Sequence, residues 1–408
     1  MNSNKTSNVA GPCQGVRVIE FAAMVAGPYC GQMLADMGAE VIKIEGVEGD
    51  GLRAVRPEHA GLGSLFVQNN RGKKSIALDV KSPEGLAICR DLIRSADVVL
   101  ENFRPGVMKR LGLDHDAVQS IAPAIVYASV TGFGESGPYV ERPAYDQVIQ
   151  AMAGNMWMQG QGEEPDPVRN SIVDKIAAVM VCNGILAALL HREKTGEGQK
   201  VAVSLLDAFA AFMIPGLDTS NRTFVGADLA DYPARPIFRA VKARDGYVMG
   251  YIHTNAHWEG CARAFRREDL LSDPRFSNPK DRLTNVGAMW EEMEKGARDL
   301  GTAQIMQVAV AHSVPMSRVN TVDELMADPQ AIHNQVFVEY RDEEVGTLRT
   351  LNFPIRFGKT PARVDARAPR KGEDTERVLA MLGLSRERIE ALEASGKVVQ
   401  GPRRGVEK

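Results

Sequence analysis

Hydrophobic and polar positions change period several times along the chain, and the changes predict the order of its elements. Val16–Phe21, rich in β-branched residues, predicts a short strand. Ala26-Gly27-Pro28 then puts a proline where a helix begins, Tyr29–Met37 continues with helical spacing, and Gly38 stops it. Glu40–Ile44 is the next strand. Strand, helix and strand within roughly thirty residues form a βαβ unit, which implies a parallel sheet with covering helices. The rhythm repeats in strand Ser75–Leu78, a helix from Ser82-Pro83-Glu84 through Ser95, and strand Val98–Leu100 before a sharp corner at 102–106. Strand Ala124–Val130, long helix Ile172–His191, strand Lys200–Ser204 and helix Leu205–Met213 follow. From about Thr223 to Ile332 the texture changes. Short strands (Ile237–Lys242, Tyr247–Tyr251) lead to charged helices at Ala256–Ala264, Leu283–Leu300 and Thr302–Ser313, the pattern of a smaller α+β domain. Strands Phe337–Tyr340 and Leu348–Leu351 and a helical pair, Thr375–Leu382 and Ser385–Leu392, close the chain. Residues 1–15 are polar and turn-rich and read as a flexible arm.

Composition narrows the class. A length of 408 residues suggests two or three domains, and 44% hydrophobic content is enough for a sizeable core, which excludes a disordered chain. With 49 Lys+Arg against 52 Asp+Glu, the net charge of −3 leaves no electrostatic footprint for nucleic acid or an anionic membrane. Met1–Gly15 lacks the basic-then-apolar pattern of a cleaved secretory signal. The longest strongly apolar run, Ala177–Leu190, is interrupted by Asn183-Gly184 and falls short of the ~20 residues of a bilayer span. Five cysteines, odd in number, widely spread and without a CxxC, argue against a disulfide framework or zinc site. The expectation is a soluble, cytoplasmic enzyme.

Several patterns could carry chemistry. Gly132-Phe133-Gly134-Glu135-Ser136-Gly137 matches G-x-G-x-x-G after a strand, but Pro138, Tyr139 and Arg142-Pro143 continue a loop where a dinucleotide fingerprint would open a helix. A glycine-rich surface loop is the better reading. His253 and His257 have the spacing of two ligands on one helix face, yet Thr254 stands where a zincin needs its glutamate, so no metal is expected. No nucleophile elbow and no P-loop are present. Lys73, Lys74, Lys81, Arg104 and Arg110 fall at the ends of early βα units, where open α/β sheets bind ligands; they are candidates to hold phosphates or are ordinary surface charge. Asp174 enters a strongly apolar helix. By position alone it is a first-turn acid favoured by the helix dipole, although a carboxylate at a cleft mouth can also be a covalent nucleophile.

Read together and in order, these segments resemble the class III CoA-transferases, the formyl-CoA and carnitine CoA-transferase type, from Gly15 to about Val398. The specific pieces are GVRVIEF at 15–21, AGPYCGQMLADMGAEVIKIE at 26–45, NRGKKSIALDVKSPEG at 70–85 and ADVVLENFRPGVMKRLGL at 96–113. They continue with ASVTGFGESGPY at 128–139, RPAYDQVIQAMAG at 142–154 and AALLHREKTGEGQKVAVSLLDA at 187–208, with a weaker match at 371–384. The resemblance implies an α/β fold: a doubly wound, Rossmann-like parallel sheet in a discontinuous large domain, residues 16–222 and 333–408, plus a smaller α+β domain over 223–332. It also implies an interlocked homodimer. It places the family's nucleophilic aspartate on Asp174. CoA contacts fall on Val25 and Ala26, on Leu78 and Lys81, on Asn102, Phe103 and Arg104, on Arg110, and on Ala144, Tyr145 and Asp146.

The activity implied is reversible transfer of CoA between an acyl-CoA and a carboxylic acid, through an aspartyl anhydride and an aspartyl-CoA thioester, with no metal or redox cofactor. An aspartate with its ordinary pKa near 3.9 is ionised at neutral pH and needs no general base. Arg169, close to Asp174 in sequence, could meet a second carboxylate or be a surface or dimer-contact arginine. Two departures from relatives stand out. Formyl-CoA transferases carry a multi-glycine lid where this chain has Tyr232-Pro233-Ala234-Arg235-Pro236-Ile237-Phe238, which argues against oxalate/formyl specificity. Relatives that racemise 2-methylacyl-CoAs carry Gly-His-Asp where this chain has Ala144-Tyr145-Asp146, which leaves an acyl-CoA racemase a distant alternative. A noncatalytic acyl-CoA-binding protein is the remaining one.

Overall fold

A computed structural model describes residues 11–160, 164–216, 219, 222–226, 238–364 and 366–402. The chain divides into two compact units: Met1–Met156, Pro167–Ile214 and Gln335–Lys408 form the larger, and Trp157–Asp166 with Pro215–Asn334 the smaller. The sequence pattern put these junctions after 222 and 332 and did not mark the excursion at Trp157–Asp166, where no change of hydrophobic period occurs.

The larger unit is built on seven strands: β1 (Arg17–Phe21), β2 (Glu40–Glu45), β3 (Lys74–Leu78), β4 (Val98–Glu101), β5 (Val126–Thr131), β6 (Lys200–Ser204) and β7 (Val398–Val399). Their order is β7-β3-β2-β1-β4-β5-β6, all parallel except β7, which runs antiparallel along β3. Strand order therefore reverses beside β1, and the crevice between the carboxyl ends of β1 and β4 is the topological switch point. Alternation along β1 splits the core. Val18 joins Leu34, Val98, Ile185 and Phe209 on one face, and Ile19 joins Ile76, Val99, Leu92 and Leu379 on the other. The C-terminal segment is tied to β3, since Ser75 N–H donates to Asp374 Oδ2 at 2.9 Å and Gly372 N–H to Ser75 Oγ at 2.9 Å.

The arm expected over residues 1–15 is corrected at its described end. Cys13 is buried, its N–H donates to Met37 O at 2.8 Å, and a Cβ on Gly11 would stand 2.2 Å from that carbonyl oxygen. Gly11–Gly15 is thus a packed turn; the ten residues before it lie outside the described residues.

Helix Ile172–Thr195 runs unbroken for 24 residues and, by length and composition alone, is long and apolar enough to cross a membrane. The sequence pattern predicts this helix over Ile172–His191, and the structure carries it on to Thr195, through the Asn183-Gly184 break in the apolar run. Gly184 is there because β6 passes close by: a Cβ would meet Val201 Cγ1 at 2.6 Å. Half of the apolar stretch is buried within the unit.

The smaller unit packs helices Asn255–Ala264, Val286–Ala297 and Thr302–Ala311 with an antiparallel sheet of Val241–Ala243, Gly246–Gly250 and Met316–Arg318. Trp258, Phe265, Phe276 and Trp290 fill its core. The single helix expected over Leu283–Leu300 is two, Pro279–Thr284 and Val286–Ala297, because Asn285 leaves helical geometry between them.

Candidate active site

The site begins with register. Phe21 of β1 stands level with Glu101 of β4, so the loop after β1 and the corner after β4 leave the sheet side by side. Asn102 clasps them: Ala23 N–H donates to Asn102 Oδ1 at 2.9 Å, and Asn102 Nδ2 donates to Ala23 O at 2.8 Å. The next residue, Met24, takes a φ of 64°, a left-handed conformation unfavourable for a side chain of its size.

Buried charge holds the same loop from behind. Register sets Glu20 opposite Lys43, and both are fully covered. Lys43 Nζ lies 3.2 Å from Glu20 Oε1 and 3.0 Å from Asp50 Oδ2, and donates to Ala22 O at 2.5 Å. Lys73 Nζ lies 2.8 Å from Glu20 Oε2 and donates to Pro28 O at 2.7 Å and Asn70 Oδ1 at 2.9 Å. Burial drives the Lys73 ammonium down to about 8 against the pull of Glu20. Burial also opposes the charge on Lys43, but Glu20, Asp50 and Glu45 together outweigh it and raise that pKa. Room for Glu20 depends on Gly31, where a Cβ would stand 1.9 Å from Glu20 Oε2.

Across the crevice, Asp174 occupies the first turn of the 24-residue helix. The N-terminal N–H groups it was expected to favour by position are taken by another carboxylate. Val173 N–H donates to Asp146 Oδ2 at 2.7 Å and Asp174 N–H to the same oxygen at 3.2 Å. No described residue donates a hydrogen bond to the Asp174 carboxylate, which faces the cavity. Burial, and then the negative charge of Asp146, push its carboxyl up to about 7. Where an ordinary aspartate was expected, the site holds this carboxyl well above the usual carboxylate range.

A cavity of about 370 Å³ joins these parts. Its walls include the loop from Ala23 to Ala26, the corner from Asn102 to Pro105, Thr131–Gly134 after β5, Arg142, Ala144–Asp146, and Asp174. Of the expected site residues, Val25, Ala26, Asn102, Phe103, Arg104, Ala144, Tyr145, Asp146 and Asp174 are brought together here. Leu78, Lys81 and Arg110 are not. Leu78 is wholly buried in the core beside β7, so its side chain cannot touch a ligand; Lys81 and Arg110 are exposed away from this cavity. Two of the candidate phosphate cations are committed elsewhere, Lys73 to Glu20 and Lys74 to Glu40. Arg169 is exposed and lines no part of the cavity.

Arg142 was missed. Its guanidinium stacks 3.7 Å above the Tyr139 ring, which meets Phe133 edge-on, and Arg142 and Phe133 line the cavity. The only signal was its place beside the Pro143-Ala144-Tyr145 turn. Gly132–Gly134 of the glycine loop line the cavity, while Glu135–Gly137 are exposed as expected; Gly132 lets Ala144 approach, since a Cβ there would meet that of Ala144 at 2.2 Å. His257 Nδ1 accepts from His253 N–H at 3.4 Å, and Thr254 caps the helix beneath them. The segment 227–237, which carries all but the last residue of the stretch aligned with the glycine lid of formyl-CoA transferases, lies outside the described residues.

A raised carboxyl makes a stability prediction. The folded state binds the Asp174 proton more tightly than the unfolded chain does, so this group's contribution falls as pH rises from about 4 to about 7 and stays low above. Asp174→Asn is therefore expected to be more stable than the wild type at pH 8, by roughly 2 kcal/mol once solvent screening is allowed for, and nearly equal to it at pH 4. Urea midpoints at the two pH values measure this; a difference independent of pH would contradict it.

Comparison with known proteins adds three findings. A family model described as CoA-transferase family III matches residues 13–375. The chain is 31% identical to a succinate–glutarate CoA-transferase of Agrobacterium fabrum, covering 91% of this chain and 96% of that protein, and 33% identical to a formyl-CoA:oxalate CoA-transferase of Streptomyces coelicolor, covering 94% and 98%. A crystal structure of a CAIB/BAIF family protein from Brucella suis superposes with a TM-score of 0.81 at 30% identity, over 91% of this chain and all of that one.

Proposed function

Because the chain belongs to CoA-transferase family III, we propose that this enzyme moves CoA reversibly between small carboxylic acids with Asp174 as the covalent nucleophile. The ionised carboxylate attacks the thioester carbonyl of the donor acyl-CoA. The carbon–sulfur bond breaks, CoA thiolate leaves, and a mixed anhydride joins the acyl group to Asp174. The thiolate then attacks the aspartyl carbonyl, releasing the donor acid and leaving an aspartyl-CoA thioester. The acceptor carboxylate repeats both steps in reverse: it displaces CoA thiolate to form a new anhydride, whose acyl carbonyl the thiolate attacks, restoring the Asp174 carboxylate.

The observation that carries this reading is the Asp174 carboxylate itself, without a hydrogen bond from any described residue and facing a cavity at the switch point of the sheet. Only its ionised form attacks, so kcat/KM should rise with pH up to about 7. Val25, Ala26 and the Asn102–Arg104 corner would meet the pantetheine arm. CoA is longer than this cavity, which leaves Lys81 and Arg110, exposed beyond the ends of β3 and β4, for its nucleotide phosphates. The names of the two relatives favour small mono- or dicarboxylates as the exchanged acids. Proton transfer at the α-carbon would need a second base, and the nearest carboxylate, Asp146, is held by three hydrogen bonds. Exposed apolar side chains on three helices of the larger unit, including Met152, Val179, Leu190 and Phe212, suit burial in a homodimer, and five free, buried cysteines suit the cytoplasm.

Incubation with acyl-CoA and hydroxylamine, followed by peptide mass spectrometry, should find a hydroxamate at Asp174. Turnover without any modification of that peptide would overturn the reading.

A further inference from the structure

Asp146 opens helix Asp146–Met152 and is 2% exposed, yet most of what it does concerns a different helix. Ser171, at the start of Ile172–Thr195, makes no capping hydrogen bond through its side chain. The cap arrives from Asp146, whose Oδ2 accepts the N–H groups of Val173 and Asp174 at 2.7 and 3.2 Å. Its other oxygen accepts from Gln150 Nε2 at 2.6 Å. Gln150 is fixed in turn by the segment leading into the capped helix: its Oε1 accepts from Val168 N–H at 2.9 Å, and its Nε2 donates to Val168 O at 3.1 Å. Two buried side chains thus lock the entry of the helix that carries Asp174.

We propose that Asp146 is a positioning residue for the nucleophile, and not a CoA contact: a remote helix cap that holds the Asp174 main chain and keeps a fixed negative charge beside its carboxylate. The inference rests on Asp174 being the nucleophile. Two consequences follow from elementary electrostatics. A carboxylate facing a like charge is more basic and attacks a carbonyl more readily. Acylation removes the charge on Asp174 and with it the repulsion, so Asp146 favours the anhydride and the aspartyl thioester over the free carboxylate. Among the charged and titratable groups near the pair, Arg104, Arg142 and Tyr145 line the same cavity, and Lys175, on the capped helix, lies 5.7 Å from the Tyr29 ring. Burial is the larger cause of the raised Asp174 carboxyl, and the charge of Asp146 adds to it in the same direction.

The test separates charge from capping. Asp146→Asn keeps an oxygen for the two N–H groups and removes the charge, whereas Asp146→Glu keeps the charge. In protein labelled with 13C at aspartate Cγ, with the Asp174 signal assigned by its loss in Asp174→Asn, the titration midpoint should fall by roughly one pH unit in Asp146→Asn. It should stay near the wild-type value in Asp146→Glu. The acid limb of kcat/KM should move with the midpoint, and the fraction of enzyme held as aspartyl-CoA thioester should drop. Should Asp146→Asn not fold, Asp146→Ser, a neutral acceptor, replaces it in the same titration. An unmoved midpoint overturns the proposal. So does a variant whose only change is a raised KM for acyl-CoA, the mark of a ligand contact. The titration does not depend on what Asp174 does; failure of the nucleophile reading would show instead as transfer retained by Asp174→Ala.

Discussion

Asp174→Ala is expected to lower CoA transfer by roughly 10³-fold or more, while acyl-CoA binding changes little. The substitution removes the carboxylate whose oxygen forms the anhydride and whose carbon carries the thioester, and every other residue lining the cavity is untouched. The loss should therefore appear in kcat, with the dissociation constant for acyl-CoA nearly that of the wild type. The variant should fold, because removing a carboxylate whose charge the fold opposes relieves strain at pH 8, and its urea midpoint checks this. Initial rates across a panel of donor and acceptor acids, beside calorimetric binding of acyl-CoA, measure the two quantities. Transfer within tenfold of wild type would remove Asp174 from the mechanism.

The second large effect concerns stability. Glu20→Ala leaves Lys73 without its ion-pair partner and Lys43 with Asp50 alone, both fully covered by protein. Breaking a buried pair by deleting one member costs roughly 3–5 kcal/mol, since the orphaned charge must be neutralised or hydrated. Urea unfolding should show that loss. The double variant Glu20→Leu, Lys73→Met should recover much of it by replacing the pair with apolar volume. Activity should also suffer, through KM, because Lys43 holds Ala22 O and Asp50 holds the Met24 N–H at the loop that borders the cavity. A Glu20→Ala protein as stable as wild type would show that the pairs contribute nothing net.

Part of this was legible in the chain. The centres of strands β1 and β2 are near-continuous apolar runs because a parallel sheet covered on both faces buries them, and Glu20 and Lys43 are visible as interruptions. What they meant was not, since their pairing depends on the register Glu20 opposite Lys43. Lys73 and Lys74 illustrate the same limit. In sequence they are two adjacent cations at a strand entry; in the fold one is buried on Glu20 and the other lies against Glu40. Asn102, expected as a ligand contact, spends both ends of its amide on the Ala23 backbone.

The sequence by itself determined the α/β class, the order of the main strands, and the segments whose resemblance placed Asp174, because strand period, helix caps and motif spacing are local properties of the chain. Only the tertiary structure decided the chemical state of that aspartate. Asp146 is twenty-eight residues away, and its carboxylate reaches the first turn of the long helix only once both helices are packed. A carboxylate's basicity depends on burial and on the charges beside it, and neither exists until the chain has folded.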